Sequence, residues 1–199
     1  MADNISYSLD ELKDEIQSYK KSGDLSDSEI EQILDVATGI DNLSIPNGLI
    51  SEFTGPLSEE KSLDIRAQLS KLNIPEKMKA AMFGNEIVRN ILIYDSNKMI
   101  QGFVLRNPRL ALPEVETFIK NPNISDHVIR LVANMKEWMR YYSVKFQLVC
   151  NPKTPPDIAL KWLRHLNDGD IKKIGRSKNI PQLIATSAQK IAALHESKK

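Results

Sequence analysis

Along the chain, apolar residues return three or four positions apart in short blocks, with polar residues between them. Such blocks are Met78, Ala81 and Met82; Met99, Ile100, Phe103 and Val104; and Val115, Phe118 and Ile119. They continue as Val128, Leu131, Val132 and Met135; Ile158, Trp162, Leu163 and Leu166; and Leu183, Ile184, Ala188 and Ile191. This period places each set on one face of a helix. Alternating apolar and polar runs between hairpin turns are missing, so the pattern predicts no sheet. Helices this brief, about 9–16 residues, do not persist alone in water, and neighbours must bury their stripes.

A recurring phrase marks where the helices begin. It reads Asn73-Ile74-Pro75-Glu76, Asn123-Ile124-Ser125-Asp126 and Asn179-Ile180-Pro181-Gln182, with relatives at Leu112-Pro113-Glu114-Val115 and Pro155-Pro156-Asp157-Ile158. Proline in the first turn costs no hydrogen bond and presets a helical φ. A carboxylate or amide beside it complements the positive end of the helix. Asn-Pro pairs at Asn107-Pro108, Asn121-Pro122 and Asn151-Pro152 mark the breaks, because a residue before proline is pushed out of the α region.

The first 57 residues read differently. Ser8-Leu9-Asp10-Glu11 and Ser26-Asp27-Ser28-Glu29 both fit a capping box. Leu9, Leu12, Ile16 and Tyr19 follow the first, and Ile30, Ile33, Leu34 and Ala37 the second, each set on one face. Gly23 and Gly39 stand where C-terminal caps belong. Residues 8–39 thus predict a helical hairpin with one apolar side. Residues 40–57, with Asn47-Gly48 and Gly55-Pro56, read as a linker, and Ser58 to Leu72 as a further helix carrying Leu63, Ile65 and Leu69. The predicted division is an N-terminal hairpin and linker, 1–57, and a repeat domain, 58–199.

Charge sharpens that division. The net charge of +1 conceals 5 Lys/Arg against 15 Asp/Glu in residues 1–70, and 22 against 11 in residues 71–199. The acidic part could dock on the basic part, the basic part could receive an acidic partner, or both could be solvated faces. At 199 residues, with 41% hydrophobic residues, the chain can bury a substantial core. Its apolar runs are far shorter than a membrane span, and its start lacks a secretion signal. A lone Cys150 allows no intrachain disulfide and no multi-cysteine metal site, which points to a reducing cytoplasm, with the thiol as a small buried hydrophobe.

Asn151-Pro152-Lys153-Thr154-Pro155-Pro156-Asp157-Ile158-Ala159-Leu160, and more loosely Asn107-Pro108-Arg109-Leu110-Ala111-Leu112-Pro113-Glu114-Val115, resemble units of the bacterial leucine-rich-repeat variant proteins. These are close in architecture to HEAT and armadillo solenoids. The resemblance spans residues 74–194. It implies an all-α, right-handed stack of paired helices that serves as a protein-binding surface. One such protein carries an iron–sulfur cluster on a cysteine-rich extension, which this chain lacks. HEAT-like DNA glycosylases hold DNA on a concave basic face, but none of their motifs transfers residue by residue.

Residues that could carry chemistry are sparse. Gly84, Gly102, Gly169 and Gly175 stand apart rather than in a phosphate loop. His127, His165 and His195 have no Cys, Asp or second His at ligand spacing on one helix face. No catalytic, cofactor or metal residue is therefore expected. Residues 134–150 interleave aromatics with Lys and Arg: Trp138, Met139, Tyr142 and Phe146 fall at core spacing, which leaves Arg140 and Tyr141 outward. With Lys145, Lys161, Arg164, Lys172, Lys173 and Arg176 they form the candidate partner-binding set. The expected function is a non-enzymatic protein-interaction scaffold whose acidic hairpin acts as cap or lid. The alternative is a nucleic-acid-binding HEAT-like protein, with a glycosylase-like enzyme as its extreme form.

Overall fold

The structure is a computed structural model that describes residues 26–38, 43–52 and 59–196. Among these residues the regular structure is all helical, and the chain forms two compact units, Met1–Leu110 and Ala111–Lys199. Charge changes sign near 70/71 and the compact units meet at 110/111, so charge and compactness divide this chain at different places.

In the first unit, helix α1 (Asp27–Thr38) begins at the expected capping box. Glu29 N–H donates to Ser26 Oγ at 3.3 Å, and Ser26 N–H donates to Glu29 Oε2 at 2.9 Å. Ile33 and Val36 are fully buried, and α1 packs on α4 (Ile74–Phe83), which covers the apolar side that its sequence required. The first helix of the expected hairpin lies outside the described residues. Part of the expected linker is ordered: residues 43–46 run extended into the single turn α2 (Asn47–Ile50), which also packs on α4. Helix α3 (Glu59–Ser70) buries Ile65 and Leu69 as its pattern predicts, but Leu63 is 66% exposed, a correction to the expected stripe.

Helices α5 (Glu86–Leu92) and α6 (Lys98–Leu105) complete this unit. Met99, Ile100, Phe103 and Val104 are all buried, and α6 packs on α4. Asn73 and Glu76 close a reciprocal box at 2.9 and 2.8 Å. Asn85 and Asn97 cap the next two helices, accepting from Val88 N–H and Met99 N–H.

The second unit holds α7 (Leu112–Lys120), α8 (Asp126–Asn134), α9 (Lys136–Met139), α10 (Tyr142–Cys150), α11 (Pro156–Leu163), α12 (Asp168–Arg176) and α13 (Gln182–Glu196). Helix α10 packs on both α7 and α11, while α13 packs on α11 and α12. Ser125 rather than Asn123 caps α8, accepting from Val128 N–H at 3.2 Å. Ala111 has no side-chain oxygen, so α7 keeps half a box: Glu114 accepts from Ala111 N–H at 3.0 Å.

The Asn-Pro breaks do more than end helices. Asn107 is buried; its amide donates to the carbonyls of Ala81 and Gly84 at the end of α4, and its Oδ1 accepts from Arg109 N–H. Asn151 repeats the arrangement, donating to the carbonyls of Ile119 and Asn121 at the end of α7 and accepting from Lys153 N–H. The last carbonyls of a helix have no intrahelical donors, so each asparagine supplies the donors that those ends require. Proline after it holds the backbone extended at ψ near 126° for Asn151.

Candidate partner-binding surface

Trp138, Met139, Tyr142 and Phe146 were expected to face the core at helical spacing. Instead the chain breaks at Tyr141, whose ψ of 127° separates α9 from α10. The break resets the helical phase, so Met139 is buried while Tyr142, expected in the core, is 40% exposed. Trp138 and Phe146 are half-buried, and Arg140 is exposed as expected. Its guanidinium lies 5.6 Å from the centre of the Tyr141 ring, and Tyr141 in turn lies 6.4 Å from Trp138.

Helices α10 to α13 share one apolar cluster, with Val149, Leu163, Ile171, Ile174, Ile184 and Ala188 at its centre. Trp162 packs against that cluster from the edge, half-buried. Its ring is the meeting point of two candidate cations from different helices. Lys161 Nζ stands 5.0 Å from the ring centre and Lys145 Nζ 5.6 Å, with the His165 ring 5.1 Å away. An ammonium over an indole gains about 0.5–1 kcal/mol at an exposed site, so the ring holds both lysine heads in place weakly. Among the described residues neither lysine has a carboxylate at ion-pair distance, nor does Arg164, which caps the end of α11.

Two of the other candidates are engaged elsewhere. Lys172 pairs with Glu196 at 2.7 Å and Lys173 with Asp170 at 2.9 Å, and Arg176 lies exposed in the last turn of α12. Asp170 also accepts from Tyr142 Oη at 2.7 Å, and that hydroxyl accepts from Asn167 N–H at 3.2 Å. The Lys173 hydrogen bond, reinforced by that of Tyr142, holds the Asp170 carboxyl below the usual carboxylate range. The Asp170 contact raises Lys173, and burial is the main cause pushing Tyr142 up. Burial, aided by the Asp170 charge, pushes the Cys150 thiol to about 11, which keeps it protonated and unreactive at neutral pH.

The histidines take structural partners. His195 Nδ1 lies 2.7 Å from Asp168 Oδ1, and His165 Nδ1 lies 3.0 Å from the Lys161 carbonyl. Among the described residues no group of three or more His, Cys, Asp or Glu could hold a metal ion, and no helix is long and apolar enough to cross a membrane. Trp162 is the residue that sequence reasoning assigned to the core alone. Lys145 and Lys161 stand sixteen positions apart on separate helices, so no local pattern announces that they meet at one ring. No family model, no curated protein and no solved structure matches this chain.

Proposed function

We propose that this chain is a non-enzymatic helical-repeat interaction protein that receives an acidic segment of a protein partner at Lys145, Trp162 and Lys161. The observation that carries this reading is the pair of ammonium groups over one indole with, among the described residues, no carboxylate at ion-pair distance. On α12 and α13, Asp168, Asp170 and Glu196 are tied to His195, Lys173 and Lys172. An incoming carboxylate would find both ammonium groups gathered at one ring, which lowers part of the entropy cost of ordering them. Arg164 extends the surface.

The recurrence of the asparagine clasp supports the repeat reading. Asn107 and Asn151 stand 44 positions apart, within the range of HEAT and armadillo repeats, about 40–47 residues. Burial of Ile33 and Val36 and the packing of α1 on α4 support the acidic N-terminal segment as a cap rather than a lid.

The test uses the intact chain, a labelled hexaglutamate peptide and a single-stranded oligonucleotide of similar length. Salt-sensitive peptide binding is expected, weakened about tenfold by Lys145→Glu with Lys161→Glu, which corresponds to about 1.4 kcal/mol. Peptide binding that survives the double reversal sinks the assignment of this surface. Tighter binding of the oligonucleotide, with a steep salt dependence, returns the nucleic-acid reading.

A further inference from the structure

Residues 43–52 are held in the first unit much as a peptide is held by a receptor. The groove holding them is formed by α4, the start of α5 and the turn at 107–109. Its donors reach five carbonyls of the segment. Lys79 Nζ donates to the Leu43 carbonyl at 2.6 Å. The Asn85 amide donates to those of Gly48 and Ser51, each at 3.0 Å, and its backbone N–H to that of Leu49 at 2.9 Å. Arg109 Nη1 donates to the Ile50 carbonyl at 2.8 Å. Every one of these donors lies more than thirty positions along the chain from its acceptor.

Carbonyl contacts are blind to side chains, so selectivity has to come from elsewhere. Three side chains of the segment meet the groove. Ile45 is 6% exposed and Leu49 fully buried. The Glu52 carboxylate lies 3.4 Å from Arg109 and 3.7 Å from Arg89, a guanidinium that is itself 3% exposed and donates to the Gly84 carbonyl. Ser44, Pro46 and Asn47 point to solvent, and a Cβ at Gly48 would meet nothing within 4 Å. The groove therefore reads an apolar residue, a second apolar residue four positions on, and an acid three positions after that. Helix α2 is a single turn, too short to be stable by itself, so its shape depends on these contacts.

We propose that this groove is a recognition site for linear segments of other proteins with that pattern, and that residues 43–52 occupy it in cis as a built-in competitor. A foreign segment would take the carbonyl donors Lys79, Asn85 and Arg109, place its two apolar side chains where Ile45 and Leu49 lie, and pair its acid with Arg89 and Arg109. Because the cis segment is tethered, it wins against a free peptide unless its own contacts are weakened.

The experiment adds a labelled decapeptide with the sequence of residues 43–52 to the intact chain and to two variants, Glu52→Arg and Leu49→Ala. Helical content by circular dichroism checks that each is folded, and Glu52→Arg, at a half-exposed position, removes no buried apolar side chain. Both variants are expected to take the peptide at least tenfold more tightly than the unaltered chain. Replacing the leucine or the glutamate of the peptide, or adding Arg109→Glu to the chain, is expected to reverse that gain. Equal uptake by the three chains, or uptake indifferent to the peptide's leucine and glutamate, overturns the proposal. A variant chain that dimerises and excludes the peptide also overturns it, since the groove would then serve a second copy of the chain.

Discussion

The side-chain amide of Asn107 donates to the carbonyl of Gly84 at 3.1 Å, and Arg89 Nη1 donates to the same oxygen at 2.9 Å. The end of α4 is thus satisfied by two side chains that arrive later in the sequence. Buried carbonyls without donors cost about 1–3 kcal/mol each, and this arrangement removes that cost at the point where the helix stops.

Asn107→Ala leaves the Ala81 carbonyl without this donor and Arg109 N–H without its acceptor. We expect a loss of about 2–3 kcal/mol in urea unfolding, and a similar loss for Asn151→Ala. Asn123→Ala, at an exposed position, is expected to stay within about 0.5 kcal/mol. Equal effects at the three positions would refute the clasp.

Two glycines should respond in opposite directions. A Cβ at Gly84 would run into the Ala80 carbonyl and stand 2.6 Å from Val88 Cγ1, and the first of these is backbone that cannot swing aside. Gly84→Ala is expected to cost about 1–3 kcal/mol. Gly48→Ala has open space around it and an ordinary helical position, so it should be neutral or add about 0.4–1 kcal/mol. Thermal unfolding of the two variants decides the matter.

Tyr142→Phe removes the hydroxyl that joins Asn167 N–H to Asp170. The expected cost is about 0.5–1.5 kcal/mol. A carboxyl held below its ordinary value stabilises the fold above that range, and the contribution fades as pH falls through the folded value. Loss of the Tyr142 bond should therefore raise the Asp170 titration by NMR without abolishing its depression, because the Lys173 contact comes first among its causes.

Cys150 titrates in the alkaline range, at about 11 when folded against an ordinary value near 9. The unfolded chain gives up this proton first, so folding stability from this group is intact below pH 9 and declines as pH rises through 11. Cys150→Ala should flatten the alkaline limb of the stability profile. Alkylation at pH 8 should be slow in the folded chain and fast in urea.

How far the sequence reached can be judged residue by residue. Ser26 with Glu29 is a box written within four residues and forms as read, while Asn73-Ile74-Pro75-Glu76, read as a helix start, also closes into a reciprocal box. The stripe Met99, Ile100, Phe103 and Val104 is buried for the same reason, since helical period is a local property. Tyr142 and Leu63 were misplaced because a stripe gives a face only while its helix continues and only if a neighbour covers it. Spacing along one helix puts Lys172, Lys173 and Arg176 on a shared face, but says nothing of their partners. Engagement of the candidate cations with Glu196 or Trp162 depends on which helices pack together.

Local chemistry alone determined that this chain would be helical, where most helices would begin, and that asparagine before proline would end them. Those outcomes depend on groups within one or two turns of each other. Tertiary structure alone decided that Asn107 and Asn151 would clasp earlier helices, that Lys145 and Lys161 would share Trp162, and that residues 43–52 would lie in a groove. Each of these joins atoms from well-separated parts of the chain, and such meetings are fixed by how the helices bury one another rather than by any residue's own preference.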